Sequence, residues 1–126
     1  MRTAALYAGL FGLMLIVLAL RVSAVRREAR VALGDGENET LRRRIRAHGN
    51  FVECVPLALL LLALAEHTGM GSLFIHLLGI VLLAGRIAHA YGISQMREPL
   101  IFRMAGTVAT LSVIGILALY CIWAAL

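Results

Sequence analysis

Hydrophobic residues along the chain fall into four long runs, at about residues 3–20, 51–65, 72–92 and 100–126. An 18-residue helix is about 27 Å long at 1.5 Å per residue, which is close to the thickness of a bilayer's hydrocarbon core. The pattern therefore predicts four membrane-spanning helices in a single domain covering residues 1–126. Because the links between the later runs are short, we expect an all-α, up-down-up-down four-helix bundle.

The polar link at residues 21–46 is the longest break in this pattern. We expect the first helix to continue past its apolar run, because no breaker follows until the glycine-rich turn at residues 34–38. Asn38 and Thr40 are the two candidate caps of the second helix. Pro56 lies inside the second apolar run, where a membrane helix tolerates proline, and Pro99 suits the first turn of the fourth helix.

Composition supports a membrane protein. Hydrophobic residues make up 61% of the chain, whereas about 45–50% is usual in soluble domains. The net charge is +5, and all twelve basic residues are arginine. These arginines border the apolar runs, so lipid headgroups are the expected partners and nucleic acid is not.

Arginines are distributed unevenly among the links. Eight lie between Arg21 and Arg46, and Arg97 lies in the third link, whereas Arg2 alone precedes the first run and the second link has none. Cytoplasmic links carry an excess of basic residues. We therefore expect the first and third links in the cytoplasm and both termini outside it.

Four polar residues near the start of the second run share one helical stripe. Arg43, Arg46, Asn50 and Glu53 are spaced three, four and three apart, which places them on one side of a helix. Glu53 already has apolar neighbours in the sequence. A carboxylate at membrane depth needs a cationic partner or a wet cavity.

Other polar residues of the apolar runs could meet this stripe. Arg86 and His89 lie three apart on the third helix, and Arg103 lies near the start of the fourth. Together with Arg46, Asn50 and Glu53, these groups predict a site for an anionic, zwitterionic ligand. Its carboxylates would meet arginines and its amine would meet Glu53. Two structural alternatives are a Glu53–Arg86 ion pair that only locks helices together, and a His89 hydrogen bond between helices.

Motifs of soluble enzymes are absent from the sequence. It has no glycine-rich phosphate loop, no paired-histidine metal spacing and no nucleophile elbow. Cys54 and Cys121 lie in apolar runs without metal or disulfide spacing, which indicates inert thiols. Tyr91 lies about 140° around the third helix from Arg86, so it could face another subunit or lipid.

Two motifs resemble those of the MAPEG superfamily, the membrane-associated proteins of eicosanoid and glutathione metabolism. The first is Arg46-x-x-x-Asn50-x-x-Glu53-x-x-Pro56, and the second is Gly85-Arg86-Ile87-Ala88-His89, followed by Arg103. The resemblance covers nearly the whole chain. It implies a homotrimer that binds glutathione between subunits near the cytoplasmic face.

The resemblance also implies residue roles. Arg46, Asn50 and Glu53 would contact glutathione, Arg86 would pair with Glu53, and Arg103 would stabilise the glutathione thiolate. Three further residues complete the implied binding set: His89 of the second motif, Tyr91 as the remaining helix-three tyrosine, and Arg26 (or Arg27) at the end of the first helix.

A function follows from the resemblance. It implies a glutathione-dependent transferase or peroxidase that acts on lipophilic electrophiles in a bacterial inner membrane. An alternative is a non-catalytic lipid-binding or structural bundle with a Glu53–Arg86 ion pair. A small multidrug-type transporter ranks last, because that class predicts a glutamate in the first membrane segment and residues 3–20 contain none.

The uneven arginine distribution yields a testable topology. Reporter fusions at either end of the chain should place both termini outside the cytoplasm, because the first link carries eight arginines against one before the first helix. A fusion in the first link is the matched control and should report a cytoplasmic position. A cytoplasmic C-terminus would contradict both the orientation and the expected location of the site.

Overall fold

Four α-helices account for most of the chain in a computed structural model that describes residues 1–97 and 99–126. They are α1 (Arg2–Glu28), α2 (Glu39–His67), α3 (Ser72–Ser94) and α4 (Leu100–Ala125). No strand occurs among the described residues. Each helix is long and apolar enough to cross a membrane, so the prediction of an all-α fold with four membrane helices is confirmed.

The helices form an inner pair and two outer members. Within the described part of the chain, α2 and α3 contact each other and both outer helices, whereas α1 and α4 do not touch. The core between them includes Phe11 of α1 against Phe51 of α2, with ring centroids 6.1 Å apart, and the fully buried Leu62, Leu82 and Leu117. Many large apolar side chains remain exposed on the outer surfaces, as expected for helices that face lipid.

The first link is shorter than its polar sequence suggests, because α1 and α2 both extend into it. The helix cap is Asn38, whose side-chain oxygen accepts a hydrogen bond from Leu41 N at 2.9 Å; of the two candidates, the structure therefore selects Asn38 over Thr40. Arg26 closes the link by donating to the carbonyl oxygens of Val31 (3.3 Å) and Gly34 (2.8 Å).

At the opposite end of the bundle, polar contacts join the start of α1 to the last turn of α2 and the first turns of α3. The Glu66 carboxylate accepts hydrogen bonds from the backbone N–H groups of Thr3 (3.0 Å) and Ala4 (2.8 Å). Because α1 begins at Arg2, the N–H groups of Thr3 and Ala4 have no partners inside their own helix. Glu66 of α2 satisfies both of them. Below this cap, the Tyr7 hydroxyl donates to the His76 carbonyl oxygen at 3.0 Å.

Close packing of α3 against α4 depends on glycine. A Cβ added to Gly106 would overlap the Gly85 carbonyl oxygen and would lie 2.7 Å from the His89 Cβ. A Cβ on Gly92 would lie 2.9 Å from the Arg103 backbone nitrogen. Because neither position carries a Cβ, the two helices can lie close together beside His89 and at the first turn of α4. Two of the candidate site residues, His89 and Arg103, lie there.

Replacing Gly106 by alanine should therefore destabilise the bundle. The added methyl group forces α4 away from α3, and overpacking of this kind costs about 1–3 kcal/mol. Gly115→Ala is the matched control, because a Cβ there meets nothing within 4 Å. Thermal unfolding in detergent measures both variants, and equal melting temperatures for the two would contradict the close helix crossing.

Candidate functional site

Arg86 is the most deeply buried charged residue near the predicted site, with 1% of its surface exposed. Its Nη2 donates to Asn50 Oδ1 at 2.8 Å and lies 3.3 Å from His89 Nδ1. Because a guanidinium only donates, His89 Nδ1 acts as the acceptor and the imidazole proton lies on Nε2. One cation thus joins α2 to α3 through an amide and an imidazole.

The predicted Glu53–Arg86 ion pair is wrong for the described chain. Glu53 is exposed, and the ion pairs found among the described residues do not join it to Arg86. The cause is helix geometry: at about 100° per residue, Glu53 points about 160° away from the buried Phe51. Asn50, one turn earlier, takes the position next to Arg86 that the carboxylate was predicted to take.

The polar stripe of α2 straddles the boundary between the inner and outer faces of the helix. On its inner edge, Arg43 reaches the Ile93 carbonyl oxygen at 3.4 Å and Asn50 meets Arg86. On its outer edge, Arg46 and Glu53 are exposed. Arg46 and Glu53 point about 60° further around the helix than Arg43 and Asn50 do. This difference in direction decides which residues of the stripe contact α3.

Arg46 and Arg103 line one cleft of about 270 Å³ at the end of the bundle that carries the first link. We call it the arginine cleft; its lining residues are Glu39, Arg42, Arg43, Arg46, Ile93 and Arg103. Glu39 Oε1 accepts from Arg43 Nε at 3.0 Å and from Nη2 at 2.8 Å. The cleft therefore concentrates four guanidinium groups, and Glu39, which also lines it, holds that of Arg43 in place.

Two predicted binding residues lie apart from the arginine cleft. Arg26 is engaged with the carbonyl groups of the first link and lines a separate hollow with Arg27 and Arg30. Tyr91 is 53% exposed, and its ring packs edge-on against Phe102 with centroids 5.6 Å apart. The structure thus brings together Arg46 with Arg103, and Asn50 with Arg86 and His89, but places neither Arg26 nor Tyr91 with them.

Sequence reasoning placed Arg43 on the polar stripe but missed Arg42 as a contributor to the cleft, because it counted Arg42 only among the arginines that indicate topology. The i, i+4 spacing of Glu39 with Arg43 and of Arg42 with Arg46 could have indicated a shared helix face. The contact between Asp35 and Arg42 had no such signal, because it depends on how the turn folds back. Asp35 Oδ2 accepts from Arg42 Nε at 2.6 Å.

Two opposite charges, those of Asp35 and Arg42, meet at the turn of the first link. The hydrogen bond from Arg42, assisted by the Glu37 backbone N–H at 3.0 Å, holds the pKa of the Asp35 carboxyl below its ordinary value. Asp35 is therefore ionised at neutral pH. Among the described residues, no group of three or more histidine, cysteine or acidic residues could hold a metal ion.

Comparison with known proteins places this arrangement in a family. The model of the MAPEG family matches residues 4–123, nearly the whole chain. The chain belongs to the MAPEG family. It is also 46% identical over 88 residues to "Inner membrane protein YecN" of Escherichia coli strain K12 and to the protein of that name in Escherichia coli O6:H1. Each alignment covers 70% of this chain and 67% of the relative.

Membership in the MAPEG family confirms the resemblance found in the sequence motifs. It identifies a membrane protein of the superfamily concerned with eicosanoid and glutathione metabolism. The matched residues include both motifs, Arg103 and the whole arginine cleft.

The corrected geometry predicts different effects for two variants of α2. Asn50→Ala removes an acceptor from a buried charge and should lower the free energy of unfolding by about 1–3 kcal/mol. Glu53→Gln removes an exposed charge that makes no contact with Arg86, so its effect should stay within about 0.5 kcal/mol. Thermal or denaturant unfolding in detergent compares them. Equal destabilisation by Glu53→Gln would restore Glu53 as a structural partner.

Proposed function

We propose that this protein is a membrane-bound transferase or peroxidase that uses glutathione against lipophilic electrophiles. The observation that carries the proposal is the arginine cleft, in which Arg46 and Arg103 lie together at one end of the bundle. The MAPEG match supports glutathione as the co-substrate. The name of the Escherichia coli relatives supports placement in a bacterial inner membrane.

The cleft suits a peptide with two carboxylates. Arg46 is exposed on α2 and presents a guanidinium fork that matches a carboxylate. Arg86 positions the neighbouring Asn50: the guanidinium occupies Oδ1, so the amide NH₂ points elsewhere and remains available to a peptide carbonyl. In this proposal Arg46 and Asn50 bind glutathione directly, and Arg86 and His89 hold Asn50 in position.

Arg103 is the residue proposed to activate the thiol. A free thiol has a pKa of about 8.5, so only a few per cent is thiolate at neutral pH. A guanidinium nearby favours the thiolate and lowers that pKa. In the transferase reaction the thiolate sulfur forms a bond to the electrophilic carbon and the leaving group departs with the bonding electron pair. In the peroxidase reaction, the thiolate attacks the hydroperoxide and breaks its O–O bond, which forms a sulfenic acid on glutathione and releases an alkoxide that takes up a proton to become the alcohol. A second glutathione thiol then attacks the sulfenic sulfur, which forms the disulfide and releases water.

The electrophile would reach Arg103 from the bilayer. Leu100, Met104 and Val108 line a hollow next to Arg103 on the outer side of α4, and these apolar side chains are exposed. A lipophilic molecule dissolved in the membrane could occupy this surface while the peptide occupies the polar cleft. Arg103 contributes to both hollows, so it stands where the two reactants would meet.

A homotrimer is part of the proposal. Glu53 is an exposed carboxylate inside an apolar segment, and such a group is costly against lipid. A neighbouring subunit would cover it, and a ligand bound between subunits would offer its amine to the carboxylate. Glu53 thus keeps its expected role as the amine-binding residue, although it does not pair with Arg86 within one chain.

A non-catalytic bundle is the second candidate function. It is favoured by one observation: Nη2 of Arg86 donates to Asn50 and to His89 inside the bundle, so this part of the buried guanidinium is satisfied without a ligand. Under this interpretation the exposed arginines bind only lipid headgroups. The two candidates differ in what glutathione does to the purified protein.

Addition of millimolar glutathione to the purified protein should produce a thiolate band in ultraviolet difference absorbance and raise its melting temperature. Arg103→Ala should preserve folding and raise the pKa of the bound thiol by about one unit, which lowers the thiolate fraction about tenfold well below that pKa. Arg2→Ala is the matched control, because Arg2 is exposed and lies at the opposite end of the bundle from the cleft. Native mass spectrometry of the same sample should show trimers.

A wild-type protein that glutathione neither stabilises nor ionises would remove the glutathione hypothesis and favour the non-catalytic bundle. Equal thiolate yields from wild type and Arg103→Ala would remove only the role of Arg103. Monomers in mild detergent would contradict the trimer.

A further inference from the structure

Arg42 lies between two hollows of the surface. It lines the arginine cleft with Arg46, and the same two residues line a second hollow with Gly34, Asp35 and Ile45. The guanidinium of Arg42 is therefore within reach of a ligand in the cleft. In the structure, however, it is paired with Asp35 of the first link.

The contact between Asp35 and Arg42 is well defined on both sides. Arg42 Nε donates to Asp35 Oδ2 at 2.6 Å, and the Glu37 backbone N–H donates to Oδ1 at 3.0 Å. The Asn38 N–H donates to the Asp35 carbonyl oxygen at 2.9 Å, which fixes the turn that carries the carboxylate. Each carboxylate oxygen thus has its own donor, and the turn holds Asp35 against Arg42.

The ion pair with Asp35 makes the Arg42 guanidinium less available to an anionic ligand in the cleft. A carboxylate already occupies the position on Arg42 that an anionic group of a ligand would take, just as Glu39 occupies Arg43. Both pairs lie near the surface, with side chains between 20% and 56% exposed. Exposed ion pairs are weak, so Asp35 competes with ligands for Arg42 and does not exclude them.

Ligands of different charge respond differently to such a competitor. The electrostatic energy that a ligand gains from one unmasked positive charge is proportional to the ligand's own charge. Glutathione has two carboxylates and one ammonium group, so it carries a single net negative charge while its thiol is protonated. Inorganic pyrophosphate carries about three negative charges at neutral pH. When the positive charge of Arg42 is no longer neutralised by Asp35, the gain in binding free energy should therefore be about three times larger for pyrophosphate than for glutathione.

We propose that Asp35 is a specificity-determining residue of the arginine cleft: by occupying Arg42, it weakens the binding of polyanions such as pyrophosphate more than that of glutathione. The proposal rests on the proposed function only for the identity of the favoured ligand. The competition itself requires no more than an anion that can reach Arg42. Because the pKa of Asp35 lies below its ordinary value, the carboxylate stays charged at neutral pH and the competition persists there.

Asp35→Asn tests the proposal with little change of shape, because asparagine keeps a side-chain acceptor for the Glu37 N–H. At low, fixed ionic strength, where screening is weak, Asp35→Asn should bind pyrophosphate about fivefold more tightly than wild type, and glutathione less than about twofold more tightly. Titration calorimetry on the full chain in detergent measures both dissociation constants. Adding Arg42→Gln to Asp35→Asn should abolish the gain for pyrophosphate.

Glu37→Gln is the matched control. It removes the same charge from the same turn, but the Glu37 side chain is exposed and forms none of the hydrogen bonds or ion pairs found for Asp35. Pyrophosphate affinity should rise less than about twofold in this variant, because Glu37 acts on Arg42 only through a coulombic interaction that is smaller than that of Asp35, and without a hydrogen bond.

Three results would overturn the proposal: no gain for pyrophosphate in Asp35→Asn, an equal gain in Glu37→Gln, or a gain that survives Arg42→Gln. A gain confined to Asp35→Asn, in a protein that binds no glutathione, would support the competition at Arg42 and remove the proposed function. The two hypotheses therefore fail separately.

Discussion

The guanidinium of Arg86 is a permanent positive charge between two membrane-spanning helices, and the packing around it follows from the need to satisfy that charge. Its hydrogen-bond partners, the amide of Asn50 and the imidazole of His89, are both uncharged. Dipoles satisfy part of its hydrogen-bonding capacity without cancelling the charge, so the interior keeps a net positive potential. An anion bound at the same end of the bundle is favoured by that potential, which links the core of the fold to the chemistry proposed for the cleft.

The glycines of α3 and α4 allow the close helix packing that surrounds the partners of Arg86. Gly106 lets α4 lie close to α3 beside His89, whose imidazole accepts from Arg86, because a Cβ at position 106 would lie 2.7 Å from the His89 Cβ. Gly92 lets the first turn of α4 approach α3, which places the Arg103 backbone beside it. A substitution at either glycine would act at the site through helix spacing, without touching a ligand.

Much of the fold could be predicted from the sequence, because four apolar runs and a polar link determine four membrane helices. The motif residues of the site could also be recognised, and the family match agrees with them. The direction of Glu53 could not be predicted: spacing places four residues on one stripe, but the packing of Phe51 and its neighbours decides which edge faces α3. Asp35 was missed for a related reason, since turn conformation, not periodicity, brings it to Arg42.

The cap on α1 has a consequence for the order of assembly. The donors belong to Thr3 and Ala4, whereas the acceptor is Glu66, more than sixty residues later in the chain. During synthesis, α1 emerges and can enter the membrane long before Glu66 exists, so its first turn begins with unpaired N–H groups. That turn is completed only when α2 has crossed back to the same side. The start of α1 therefore acquires these native contacts only after about half of the chain has been made, although it is the first part of the bundle to be synthesised.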